Sequence, residues 1–182
     1  MVSESNPLHQ LFSEIVGRNY DEVGVAGAEI QGYVATLLTE FCEVDNLYKI
    51  KNAAGLALHD VGEMLLESDP VYGPAPSFDR ERQVRKHIGD YSLFFTGMFP
   101  EAINWGRLRR SRMENLVDFV RAGKESYYIV SKFEYFEYAK VAPLFRSMAT
   151  DFELLVYGLN QVKNDLEEMQ HPITRRTAEF LM

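Results

Sequence analysis

RKHIGDYSLFFTGMFPE, residues 85–101, is the most distinctive stretch of this 182-residue chain. At about 100° per residue, and with His87 as the zero of angle, Met98, Tyr91, Val84, Phe95 and Ile88 fall progressively around one side of a helix. Phe94 lies just on the other side. His87 is therefore inside the apolar arc, and Asp90 sits on its margin, one turn away. Gly89, Ser92 and Thr96 lie opposite, on a narrow face of small residues. The spacing predicts a helix over about 80–98, with Asp79 as its N-cap.

Working outward, the same period recurs. Asn6-Pro7 reads as an N-cap followed by proline in the first turn. Leu8, Leu11, Phe12, Ile15 and Val16 then follow at steps of three and four, with Gly17 as a stop. Ile30, Tyr33, Val34, Leu37, Leu38 and Phe41 mark a second helix. LALHDVGEMLLES, 56–68, predicts another. Three prolines and a glycine in 69–79 forbid a regular element there, so that stretch reads as a Pro-rich connecting loop. Pro100 and Gly106 bracket a short helical piece. Residues 114–131 form a helix whose Gly123 lets a neighbour approach closely. SKFEYFEYAK, 131–140, reads as a helix end or an aromatic loop. Pro143 opens the longest helix, about 142–168.

With no secure strand, these segments predict an all-α fold: one domain over 1–182, a bundle of five to seven amphipathic helices. None is apolar on every side, so each is expected at the surface with one face in the core.

Composition narrows the function. Hydrophobic residues make up 46%, so the chain should fold. The net charge is −8, which argues for solubility and against nucleic-acid binding. The charge is uneven: residues 80–124 hold ten Lys/Arg against five Asp/Glu, and the remainder nine against twenty-two. The densest basic knot, RLRRSR at 107–112, reads as a solvated turn. One cysteine, Cys42, rules out an internal disulfide and a thiolate metal cluster and suits a cytoplasmic location. No signal peptide and no apolar run long enough to span a membrane is visible.

The candidate sites are few. A histidine within an apolar arc must find partners; Asp90 is within i,i+3 reach, and Tyr91, Tyr127, Tyr128 and Tyr157 are further candidates. The structural reading is a satisfied core histidine. The functional one is a pocket between helices 80–98 and 114–131, lined by His87, Asp90, Tyr91 and Tyr127, that binds a small ligand. His59, Glu63 and Glu67 have metal-ligand spacing on a helix but point away from its apolar side. Glu168-x-x-His171 copies one half of a di-iron motif. His9 reads as exposed. No nucleophile motif, Walker loop, dinucleotide fingerprint or CxxC is present. No catalytic residue, metal or cofactor is therefore assigned.

GDYSLFFTGMFPE, the DF at 118–119, Gly123 and the helix ending LNQVKNDLE together resemble a family of uncharacterised bacterial all-α proteins, over residues 30–168. The resemblance implies a helical fold and a bacterial source, and it carries no activity or site residues. The leading expectation is a non-enzymatic interaction or scaffold protein, bound to another protein or to itself as a homodimer. YYIVSKFEYFEY, 127–138, is its expected partner surface. The alternative is a small-ligand or metal-binding bundle, an enzyme among its forms, around His87 and Asp90.

Overall fold

Asn6 and Pro7 open the first helix by the chemistry expected of them. The Asn6 side-chain oxygen accepts from the Leu8 N–H at 2.9 Å, and Pro7 sits where no helical N–H is needed. The computed structural model describes residues 6–69, 71, 73, 77–103 and 116–169. Helix α1, Pro7–Val23, passes through Gly17 and stops at Gly24 instead. Gly24 has φ +84°, the left-handed conformation that closes a helix and that only glycine adopts at little cost. Gly17 stays helical because Phe12, Ile15, Val16, Asn19 and Tyr20 are buried on both sides of it.

Helix α2, Ala28–Phe41, is followed by a single turn, α3, Val44–Leu47. Residues 48–60 are irregular. Asn52 Oδ1 accepts from the N–H groups of Ala54 and Leu56, each at 3.0 Å, and Lys51 and Ala57 form one antiparallel bridge. The helix expected from residue 56 starts only at Val61, as α4, Val61–Glu67. The reason is local: Asp60 Oδ1 accepts from the Glu63 N–H at 3.0 Å and so holds the N-cap position.

Helix α5, Phe78–Met98, is capped by Ser77, not Asp79. Ser77 Oγ accepts from the Arg80 N–H at 3.2 Å, and Asp79 falls in the first turn, where its charge favours the helix dipole. Every residue from His87 to Phe99 is buried, so α5 has no solvent face over its C-terminal half. This corrects the expectation that each helix keeps one. The small residues are the cause: they are close-approach points rather than a wet face. A Cβ at Gly89 would lie 2.4 Å from the Tyr127 ring, and one at Gly97 2.5 Å from Leu159.

Helices α6, Pro100–Ile103, and α7, Leu116–Val130, follow. A 3-10 turn spans Phe136–Lys140, so the aromatic stretch at 131–140 is not a strand. The long helix expected over 142–168 is two, α8, Ala142–Thr150, and α9, Phe152–Glu168. They break at Asp151, next to Thr150, whose hydroxyl donates to the Arg146 carbonyl at 2.9 Å. The described residues thus hold nine α-helical segments rather than five to seven, and no strand. The excess comes from this break and from the short turns α3 and α6.

Helix α5 is the centre of the packing. It lies against α7 and α9, and also against α4; α1 packs on α2 and α9, and α7 on α8. No helix among the described residues is long and apolar enough to cross a membrane.

Candidate functional site

Asp90 is brought inside by the apolar arc on either side of it on α5, and it is 1% exposed. A buried carboxylate must be paired, and three elements supply partners. Tyr33 of α2 and Tyr127 of α7 both donate to Oδ1, at 2.6 and 2.8 Å. Lys86, one turn back on α5, donates to Oδ2 at 2.7 Å. Burial pushes the carboxyl pKa up, but Lys86 and the two phenols together hold it below the usual carboxylate range. Burial, then the Asp90 charge, raises the Tyr33 and Tyr127 hydroxyls well above ordinary tyrosine, so both remain donors. Asp90 pins α2 and α7 to α5.

His87 is fully buried too, but it faces a different neighbour. Its Nε2 lies 3.1 Å from the Leu47 carbonyl oxygen at the end of α3. A carbonyl only accepts, so Nε2 carries the proton and Nδ1 the lone pair. Nδ1 is buried with no hydrogen-bond partner among the described residues. Burial, then the Lys49 cation, lowers the imidazole pKa from 6.5 to about 4, so the ring is neutral. The Phe41 and Tyr91 rings lie 5.7 and 6.0 Å from it.

The expected His87–Asp90 contact therefore does not form. Asp90 and Tyr127 do meet, as the sequence suggested. Tyr91 is buried beside His87 and donates to the His59 carbonyl at 3.1 Å. Tyr128 and Tyr157 lie outside the network, 51% and 56% exposed. Tyr33 and Lys86 were missed as Asp90 ligands. The i,i+4 step from Lys86 was a usable signal, whereas nothing local marks Tyr33.

The metal-spaced residues separate. His59 precedes α4, and its ring lies 4.2 Å from that of Tyr48. Glu67 is buried and pairs with Arg80 at 3.4 Å, which corrects its expected outward position. No group of three His, Cys, Asp or Glu among the described residues could hold a metal ion. His171 and the basic knot 107–112 lie outside those residues. His9 is half-buried and within 3.2 Å of Thr36 Oγ1, rather than exposed.

The 127–138 stretch divides. Tyr127 and Val130 are core, while Tyr135 and Phe136 are 70% and 90% exposed. Phe136 has φ +50°, the only positive value at a non-glycine among the described residues. A bulky side chain in that conformation strains the backbone. The neighbours hold it there: Arg82 stacks on the Tyr138 ring at 3.8 Å, and Arg146 pairs with Glu134 at 2.6 Å. Alongside, between α7 and α8, a groove of about 490 Å3 is lined by Arg121, Lys124, Glu125, Tyr128, Ala149 and Thr150.

No family model, no curated protein and no solved structure matches the chain.

Proposed function

We propose that the chain is a non-enzymatic interaction protein, a single-domain helical bundle that associates with a second copy of itself through the exposed side chains of residues 127–138. The observation that carries this is Phe136: the fold accepts backbone strain at a residue whose ring stays exposed, and covering that ring in an interface gains the apolar burial that the single copy lacks. Tyr128 and Tyr135 extend the surface with rings that suit protein contacts. Charge favours a second copy as the partner. The protein carries −8 overall, yet residues 116–153 hold five Lys/Arg against six Asp/Glu, so like-charge repulsion between two copies is small there. The cytoplasmic location and bacterial source belong to the same proposal.

Sedimentation equilibrium of the wild type and of Phe136→Gly tests it. The wild type is expected to dimerise. The variant should be monomeric, with a melting temperature as high or higher because glycine accepts φ +50°. A wild type that stays monomeric at the highest soluble concentration overturns the proposal.

One observation favours a second reading, a small-ligand or metal-binding site at His87: its buried Nδ1 lone pair has no partner among the described residues. Metal analysis and an absorption spectrum of purified protein decide it. A bound ion or chromophore supports the reading, and a blank in both overturns it.

A further inference from the structure

Accepting the self-association reading above, we infer that the exposed Phe136 of one copy seats in the α7–α8 groove of its partner, with Glu137 of the first copy paired to Arg121 of the second. The two features match in size, in apolar character and in the opposite charges of Glu137 and Arg121. The knob is Tyr135-Phe136-Glu137, two exposed rings followed by an exposed acid. Glu137 forms no hydrogen bond or ion pair among the described residues, and neither does Arg121 in the groove. The groove offers about 490 Å3, and a cavity of roughly 150 Å3 already admits a benzene ring. Arg121, Lys124, Glu125, Tyr128, Ala149 and Thr150 line it, so two cations and one acid stand beside a ring and a methyl group. Lys124 is already paired with Glu153 at 2.8 Å, which leaves the Arg121 guanidinium as the unspent charge, able to meet both a carboxylate and the face of a ring.

Knob and groove belong to the same pair of helices. The groove runs between α7 and α8, and the knob lies in the chain that joins them. An antiparallel two-fold pairing of that helical hairpin places each knob opposite the other copy's groove. The contact is then made twice and the assembly closes as a dimer.

Charge reversal tests the pairing by sedimentation equilibrium. Arg121→Glu and Glu137→Arg are each expected to weaken dimerisation at least tenfold. The double variant, which restores the opposite charges across the interface, should return to within about threefold of the wild type. Both side chains are exposed, so melting temperatures taken at a concentration where the wild type is monomeric should stay at the wild-type value. Should either variant misfold, Arg121→Ser and Glu137→Gln replace them, with the same loss expected for each and, as the deciding result, no greater loss when the two are combined. A wild-type dimer that both single variants leave intact, or a double variant weakened by the sum of the two, overturns the groove pairing while self-association stands. A monomeric wild type overturns both.

Discussion

Asp90 Oδ1 takes two phenolic hydrogens and Oδ2 an ammonium hydrogen, and this division of labour leaves His87 to a backbone carbonyl. The two residues sit one turn apart, but their side chains leave α5 toward different helices. The consequence is a pH dependence that belongs to His87. Its pKa is the ordinary 6.5 when unfolded and about 4 when folded, lowered by burial and by Lys49; Lys86 opposes protonation as well, while Asp90 and the Leu47 carbonyl favour it. A depressed folded pKa means that the stability is fully present above pH 6.5 and is lost as pH falls toward 4. The loss between pH 7.5 and 4 should be about 3 kcal/mol. Asp90, held below the usual carboxylate range, adds its own loss only at lower pH. Urea unfolding at a series of pH values measures this. His87→Gln keeps a donor for Leu47 and does not titrate, so its stability should stay level across the same range; a wild type that is equally level refutes the assignment.

At the scale of elements, glycines show how packing overrides propensity. Gly32 of α2 is exposed, and a Cβ there meets nothing within 4 Å. Gly32→Ala should therefore stabilise by roughly 0.5–1 kcal/mol, the ordinary helix gain. Gly123 of α7 is buried, and a Cβ would lie 2.4 Å from Phe152 and 2.7 Å from Ser92. Gly123→Ala should destabilise by about 1–3 kcal/mol because the core must shift to admit it. Thermal melts of the two variants are expected to move in opposite directions; two shifts of one sign would contradict the close packing of α5 on α7. The same logic explains Ser92 and Thr96: on a helix covered all round, short side chains are spacers, and the Thr96 hydroxyl donates to the Ser92 carbonyl at 2.7 Å instead of to water.

Over the whole molecule, α5 is the shared wall. It touches α4, α6, α7 and α9, and the Asp90 clamp ties it to α2 as well. An element covered on every side opens only with the whole fold. Amides of residues 88–96 should be the slowest to exchange in native-state hydrogen exchange and should share a single opening free energy. Faster exchange there than in α1 would show that α5 is not the centre of the fold. The face proposed for self-association lies at the opposite extreme, on the 3-10 turn and the α7–α8 pair, where rings are exposed and one residue is strained.

Much of this was legible in the chain itself. Asn6-Pro7, the stripe from Ile30 to Phe41, the tight approach at Gly123 and the inward turn of His87 all follow from local rules, because helical period and capping act within a few residues. The all-helical class follows from the same period. What the periodicity could not contain was the partner of each inward side chain. Tyr33 is 57 positions from Asp90, and Leu47 is 40 from His87. Which of them a buried group meets depends on how whole helices stack. The small face of α5 shows the same limit: glycine and serine opposite an apolar arc read equally well as solvent or as a second packing surface, and only the arrival of α7 and α9 settled which.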